Sequence, residues 1–190
     1  SFLIIQTASI GDVILATPVI EKLPQHYPDS KIDFLLKKGN ESLFYGHPFL
    51  NTLLVWAKSQ DKHKNFRSLL AKLRHEGYAH VHEIPLLAFT VILTAFSSAG
   101  HTAGFRKNPF SLLFSKRVKH LIKTGDIHEI TRNHSLIVHL TDDDPAPVRL
   151  YPSSRDFAAV SQYKTEQYIC LAPASLWFTK QFPEDKWIEF

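Results

Sequence analysis

Short apolar segments, each followed by a polar loop and an amphipathic stretch, succeed one another through the first half of this 190-residue sequence. Such alternation is typical of α/β domains with a mainly parallel sheet, because a strand covered by helices on both faces reads as a continuous apolar run. We predict strands at Phe2–Ile5, Ile32–Leu36, Thr52–Trp56 and Ala79–Ile84, and helices over Val13–Leu23, Phe66–Leu73, Leu87–Ser97 and His128–Leu140. The expected fold class is therefore α/β.

Proline, glycine and serine mark where some of these helices begin and end. Pro18 suits the first turn of a helix better than its interior, so we expect a break near Thr17 and Pro18. Gly77 is placed to end the helix that contains Leu73. Ser153 or Ser154 is expected to cap a later helix that runs towards residue 163.

The second half of the chain predicts a change of domain. Asp142–Pro147 is acidic, interrupted by proline and typical of a linker. A buried strand at Tyr168–Ala172, with Cys170 as a core thiol, then precedes a helix start, like the first βα unit of another domain. We expect an N-terminal domain over residues 1–150, and a linker helix plus the start of a truncated C-terminal domain over residues 151–190.

Positive charge is concentrated in one stretch of the chain. The net charge is +4, but the stretch from Lys58 to Lys123 holds 12 lysines and arginines against three acidic residues. A basic block of this kind implies an anionic partner: nucleic acid, an anionic membrane surface, or a phosphorylated or acidic substrate. For Lys62–Arg74 we prefer the alternative interpretation, a solvated helix face.

The loop after the first strand, Ser9-Ile10-Gly11-Asp12, is the first candidate site. Ligands of open α/β sheets gather at the carboxyl ends of the strands, where loops lead into helices. Gly11 permits a tight turn and a close approach of the backbone to an anion. Asp12 either caps the helix or faces a ligand, and its spacing alone favours the cap. The loop lacks both the glycine pattern of a dinucleotide-binding loop and a Walker motif, which argues against a nicotinamide-dependent enzyme.

Two longer segments resemble a known family. Residues 4–18, IIQTASIGDVILATP, closely resemble the opening of the ADP-heptose:lipopolysaccharide heptosyltransferases, glycosyltransferase family 9. Residues 171–187, LAPASLWFTKQFPEDKW, resemble the segment of that family in which the second domain begins. The two matches stand in the family's order and flank a domain of its size. The resemblance covers the whole chain but only part of a complete family member.

The resemblance implies a GT-B architecture, in which two Rossmann-like domains face each other and this chain supplies the N-terminal, acceptor-binding one. It implies transfer of heptose from an ADP-sugar to an inner-core lipopolysaccharide acceptor, with inversion at the anomeric carbon. Asp12 would then be the general base, and Lys180 would stabilise the diphosphate leaving group. The substrate-binding residues that it implies are Thr7, Ser9, Gly11 and Ser175. It implies no cofactor and no metal.

Two further features bear on metals and membranes. We expect His80 and His82 to face opposite sides of a strand, which argues against a shared metal, and we interpret each as a structural histidine. His82 and Glu83, at a strand end, could also border the acceptor site. Phe105–Arg117 interleaves aromatic and basic residues, either as core aromatics with solvated bases or as a contact with a lipid-anchored, anionic acceptor. The expected location is the cytoplasm, with peripheral contact to the inner membrane as an open alternative.

Other interpretations stay open. The chain could be a non-catalytic anion- or glycan-binding module in which Asp12 only caps a helix, or a transferase that uses another nucleotide sugar. Binding to nucleic acid through the basic block is disfavoured, because the sequence has no nucleic-acid motif. We expect the isolated 190 residues to have negligible transferase activity, since most of the ADP-sugar pocket would be missing.

Overall fold

Six strands form one parallel sheet in the computed structural model, which describes residues 1–57, 61–85, 87–107, 109–120, 127–171, 175 and 181–189. The strands are β1 (Phe2–Gln6), β2 (Ile32–Lys37), β3 (Thr52–Trp56), β4 (His80–Glu83), β5 (His101–Phe105) and β6 (Lys116–Val118). Their order is β3-β2-β1-β4-β5-β6, and every neighbouring pair is parallel. This is the strand order of a Rossmann fold, so the expected Rossmann-like α/β class is confirmed.

Helices connect the strands on both faces of the sheet. The α-helices of the described residues are α1 (Ile10–Ile14), α2 (Thr17–His26), α3 (Lys62–Glu76), α4 (Ala88–Ala95), α5 (Glu129–His134), α6 (Ser154–Val160) and α7 (Glu184–Glu189). The break expected near Pro18 is confirmed, because α1 and α2 are separate and Pro18 lies in the first turn of α2. Gly77 ends α3 with a left-handed backbone at φ 61°, and Ser153 caps α6.

Successive residues of β1 point into two different cores. Phe2 and Ile4 pack in one core with apolar residues of α1 and α2, such as Val13. Leu3 and Ile5 pack in the other with residues of α3 and α4. Both faces of the central strand are therefore covered, which explains its continuous apolar sequence.

The chain divides into two compact units, Ser1–Tyr151 and Pro152–Phe190. The acidic segment that resembles a linker lies within the first unit, and it and the residues that follow it are bonded to α2. Asp142 accepts a hydrogen bond from Lys22 at 2.6 Å, and the Tyr151 hydroxyl donates to both carboxylate oxygens of Glu21 at 3.0 Å. These contacts with α2 hold the segment against the sheet domain.

Three expectations for the second half of the chain were wrong. No strand forms over Tyr168–Leu171, and Cys170 is exposed, because no strand among the described residues of the second unit pairs with this segment. The helix expected over His128–Leu140 is only α5, and turns follow it. The sheet also contains β5 and β6, which we did not predict.

Candidate active site

Ser9 and Asp12 form a capping box at the start of α1. Ser9 is the N-cap, and its backbone N–H and hydroxyl both donate to Oδ2 of Asp12, at 3.0 and 2.5 Å. Asp12 is therefore the third residue of the helix and not the N-cap that its spacing favoured. The two bonds hold the partly exposed carboxylate in one orientation, while its Oδ1 makes no hydrogen bond within the described residues.

Gly11 lies inside α1 and is exposed. Its backbone is not left-handed, so the expected tight turn is not what requires glycine here. An added Cβ would meet no heavy atom within 4 Å. Neither the backbone conformation nor the packing of the chain explains the glycine, and the open space beside it is available to a ligand.

Thr7 lines an apolar cavity of about 580 Å³ at the carboxyl ends of β1, β2 and β3. The rings of Trp56 and Phe89 stack on its wall, with centroids 4.7 Å apart. Lys37, at the end of β2, and Lys62, at the start of α3, also line it. Thr7 itself is buried, and its hydroxyl has no hydrogen-bond partner among the described residues. We did not predict Trp56 and Lys37 as site residues, although Trp56 ends the predicted strand Thr52–Trp56 and Lys37 directly follows the predicted strand Ile32–Leu36.

Glu83 ends β4, beside β1, and is fully buried. The Thr90 hydroxyl of α4 donates to its Oε1 at 2.7 Å, whereas its buried Oε2 has no partner among the described residues. Burial raises the pKa of this carboxyl to about 8, and the bond from Thr90 acts in the opposite direction. Glu83 is not among the described residues that line the apolar cavity, and its place beside the acceptor site stays a prediction.

His80 and His82 lie on the same face of β4, contrary to the expectation, because residues two apart on a strand share a face. Their ring centroids are 6.1 Å apart, and His80 also stacks on His101 of β5 at 5.0 Å. Together with His139 they line a cavity of about 180 Å³ near the amino-terminal ends of β5 and β6, away from the loop after β1. Burial, followed by the nearby charge of His80, lowers the pKa of His82 to about 3.

The stacked arrangement does not suit a shared metal ion. An ion lies close to the plane of each imidazole that binds it, and the rings of His80 and His101 are within 19° of parallel. Within the described part of the chain, no group of three or more histidine, cysteine or acidic side chains is arranged to hold a metal.

The donor-side residues belong to the second unit. Ser175 is half-buried, and its carbonyl accepts a hydrogen bond from the Gln181 side chain at 2.7 Å. Lys180 lies outside the described residues. In the first unit, Thr7 and Ser9 lie in the loop after β1, and Gly11 and Asp12 lie in the first turn of α1. The roles of these four residues, like those of Ser175 and Lys180, stay predictions.

The strand order and the polar loop at the end of β1 define a Rossmann-like domain whose ligand edge is the carboxyl end of the sheet. Residues 66–190 match the family model described as glycosyltransferase family 9 (heptosyltransferase). The chain belongs to this family.

Relatives of known function are longer than this chain. Lipopolysaccharide heptosyltransferase 3 of Escherichia coli (strain K12) is 33% identical over 135 residues, which cover 67% of this chain and 38% of the relative. A second Escherichia coli protein of the same name is 39% identical over 72 residues, or 36% of this chain and 21% of that protein. The chain thus spans well under half the length of these relatives.

Solved structures share the fold. Glycosyl transferase family 9 from Veillonella parvula DSM 2008 superposes with a TM-score of 0.80, covering 99% of this chain and 58% of that protein. E. coli heptosyltransferase WaaC with ADP gives a TM-score of 0.70 over 99% of this chain and 62% of WaaC. Both are 18% identical to this chain, so the similarity concerns the fold.

Proposed function

We propose that this chain forms the acceptor-binding side of an inverting heptosyltransferase with a GT-B arrangement. The observation that carries the proposal is the carboxylate of Asp12, which two hydrogen bonds from Ser9 orient at the carboxyl end of β1. Family membership supports the reaction class. An ADP-heptose donor is supported by the similar WaaC, whose structure was solved with ADP-2-deoxy-2-fluoro heptose.

In the proposed reaction Asp12 acts as general base. It takes the proton of an acceptor hydroxyl while that oxygen bonds to the anomeric carbon of the heptose, and the bond from that carbon to the ADP oxygen breaks. Lys180, with Ser175 as a hydroxyl donor, stabilises the negative charge that grows on the diphosphate. Attack from the face opposite to the leaving group inverts the anomeric carbon. Thr7, Ser9 and Gly11 line the acceptor side.

The apolar cavity supports a sugar acceptor with anionic substituents. Flat aromatic faces such as those of Trp56 and Phe89 suit the apolar face of a pyranose ring, as in ligand pockets with a few convergent polar groups. Lys37 and Lys62 add positive charge, and no acidic side chain is among the described residues that line the cavity. An inner-core lipopolysaccharide sugar that carries phosphate or carboxylate groups fits this chemistry.

A lipid-anchored acceptor would place the enzyme at a membrane. We propose a cytoplasmic location with peripheral contact to the inner membrane, where such an acceptor is exposed. None of the helices in the described ranges has the length and the apolar character needed to cross a bilayer. The basic block between Lys58 and Lys123 is consistent with an anionic surface as one partner.

The role of Asp12 is tested by two substitutions in a full-length version of the protein. Asp12→Asn keeps a side-chain oxygen that can accept the bonds from Ser9, but it cannot take a proton. Asp12→Ala loses both functions. We expect both variants to lose heptosyl transfer by about 10²- to 10⁴-fold, whereas only the alanine variant loses about 1 kcal/mol of unfolding free energy.

The chain offers a matched control in α6. Ser153 donates through its backbone N–H and hydroxyl to Oδ2 of Asp156, both at 2.7 Å, as Ser9 does to Asp12. Asp156→Asn and Asp156→Ala should change stability in the same pattern with less than about a twofold change in transfer rate, because this box lies outside the proposed site. If the Asp12 variants change the transfer rate as little as the Asp156 variants do, Asp12 is not the general base. The chain is then better interpreted as a non-catalytic binding module.

Transfer by the 190-residue chain alone should be undetectable under conditions in which a full-length version is active. The reason is that these 190 residues cover 38% of the E. coli relative, and we propose that most of the ADP-sugar site is formed by residues beyond the matched part. Mass spectrometry of an acceptor incubated with ADP-heptose and the chain measures it, and a heptosylated product would contradict the division of labour between the two domains.

A further inference from the structure

The connection between β5 and β6 contains an inversion of the usual burial pattern. This connection contains a 3₁₀ turn, Pro109–Leu113, in which Leu112 is 70% exposed and Leu113 is 54% exposed. Ser111, in the same turn, is only 3% exposed. A turn that folds for its own stability would bury the leucines and expose the serine. The exposed pair therefore calls for an explanation outside the chain's own core.

A rigid anchor holds the turn in this orientation. Phe114 follows the turn, is buried, and lies so close to Gly104 of β5 that an added Cβ there would come within 2.3 Å of the phenylalanine ring. Ser115 is clamped to Thr102 at the start of β5, since each backbone N–H donates to the other's hydroxyl, at 3.0 and 3.2 Å. The contacts of Phe114 and Ser115 with β5 therefore fix the turn, and the two leucines point away from the sheet.

The chain segment that contains the turn carries positive charge and no negative charge. Residues 101–120 contain five basic side chains and no acidic one. Arg106 and Lys107 precede the turn, Lys116 and Arg117 follow it in the edge strand β6, and all four are exposed. Apolar side chains flanked by bases are the pattern of surfaces that insert into the interface of an anionic bilayer, in which leucines reach the acyl boundary and bases contact lipid phosphates.

We propose that the turn Pro109–Leu113, with its flanking bases, is the surface through which this protein binds an anionic lipid bilayer. The proposal rests on the proposed function for the reason to approach a membrane, and on Leu112, Leu113 and the local charge for the place. A soluble protein partner would need acidic groups opposite the bases and a pocket for the leucines. A bilayer supplies both features at once, so it is the occupant to which the observations point.

Sedimentation of the chain with lipid vesicles tests the surface. One set of vesicles is phosphatidylcholine, and in the other about a third of the lipid is phosphatidylglycerol. Leu112→Gln/Leu113→Gln keeps the charge and should weaken binding to the anionic vesicles by about tenfold. Lys116→Gln/Arg117→Gln should weaken binding to the anionic vesicles by about fivefold for each base removed, and added salt should weaken it as well.

The matched control is Tyr45→Gln/Val55→Gln. Both side chains are apolar and exposed, by 66% and 41%, but they lie outside the basic segment. This variant should bind anionic vesicles as the unchanged chain does. Three results would each overturn the proposal: no binding to anionic vesicles, equal binding to both kinds of vesicle, or an equal effect of the control and the leucine variant.

The outcome is separate from that of the proposed function. Vesicle binding needs neither an ADP-sugar nor Asp12, so Asp12→Asn should sediment like the unchanged chain. Loss of transfer activity in that variant with intact vesicle binding would support both conclusions independently. If Asp12→Asn weakens vesicle binding and the leucine variant does not, the assigned membrane surface is wrong, whereas the proposed reaction class is unaffected.

Discussion

Replacing Glu83 by glutamine should change how the stability of the protein depends on pH. The unfolded chain releases the proton of this carboxyl near pH 4.5, whereas burial in the folded protein raises its pKa to about 8. Between these values the unfolded state binds fewer protons than the folded state. The stabilising effect of the neutral carboxyl is therefore complete below pH 4.5 and is lost as pH rises towards 8.

The size of the effect follows from the distance between the two pKa values. Each pH unit in this window removes about 1.4 kcal/mol of unfolding free energy, so from pH 5 to pH 8 Glu83 costs the protein about 4 kcal/mol. Glutamine carries no proton to lose. Its oxygen can still accept the bond from Thr90, but an amide N–H₂ in the place of Oε2, near Gly104, would lack a partner and cost about 1–3 kcal/mol at every pH.

Urea unfolding followed by far-ultraviolet circular dichroism, at several pH values from 5 to 8, measures the difference between the two proteins. The buried histidines also make stability depend on pH, but they contribute equally to both and cancel in the difference. Glu166→Gln is the matched control, because Glu166 is exposed. We expect the Glu83→Gln curve to gain about 4 kcal/mol on the unchanged protein from pH 5 to pH 8, and the control to gain less than about 0.5 kcal/mol.

Parallel curves for Glu83→Gln and the unchanged protein would refute the reasoning. They would mean that the carboxyl ionises in the folded protein as readily as in the unfolded one. In that case the side chain would be solvated or paired with a cation, and the packing of Thr90 and Gly104 around it would be wrong.

Two further substitutions test the site loop and the histidine cluster. Gly11→Ala should stabilise the chain by up to about 1 kcal/mol, because the position is helical and has open space beside it. The same change should weaken acceptor binding, measured by NMR titration, by about tenfold, since the new methyl group occupies the space of the ligand. Unchanged binding would show that Gly11 does not line the site. His82→Leu should reduce the loss of unfolding free energy between pH 7 and pH 5 by about 2 kcal/mol. The pKa of His82 in the folded protein, about 3, lies below the ordinary 6.5, so its stabilising contribution is present above pH 6.5 and is lost as pH falls. Urea unfolding at the two pH values measures this difference, and an unchanged loss of stability at pH 5 would mean that His82 is exposed to solvent.

The centre of the fold could be predicted from the sequence because burial on both faces leaves a strong pattern. β1, β2 and β3 read as apolar runs, and each was predicted within one residue of its observed bounds. β5 and β6 were missed for the opposite reason. His101–Phe105 and Lys116–Val118 are short, mix polar and apolar residues, and lie at one side of the sheet, where a strand needs few apolar side chains. β5 is placed in the sheet by its pairing with β4, and β6 by its pairing with β5. A local sequence pattern does not record either pairing.

The candidate site shows a similar division. The loop after β1 was predictable, because a polar loop with glycine and aspartate follows a buried strand at the edge where ligands bind. The contact between segments that are distant in the sequence could not be predicted from it. Trp56 and Phe89 are separated by more than thirty residues and form one wall of the cavity. The capping role of Ser9 was also available in the sequence, as a serine three residues before an acidic residue, but the interpretation had assigned the cap to Asp12.

Two carboxyl groups end or follow neighbouring strands, and their surroundings decide which of them can act as a base. Glu83 is enclosed: Thr90 occupies Oε1, and the other oxygen faces the Gly104 side of the sheet with no exposure to solvent. A group that cannot reach the acceptor cannot take its proton, whatever its pKa. Asp12 is partly exposed and its Oδ1 makes no hydrogen bond within the described residues, so it can reach the acceptor.

In a full-length version assayed at pH 7, Glu83→Gln should therefore keep heptosyl transfer within about threefold of the unchanged enzyme, whereas Asp12→Asn should lose at least about a hundredfold. Measurement of initial rates at saturating donor separates the two. The reverse ranking would transfer the role of base to Glu83 and require an opening of β4 and α4 that the observed packing does not contain.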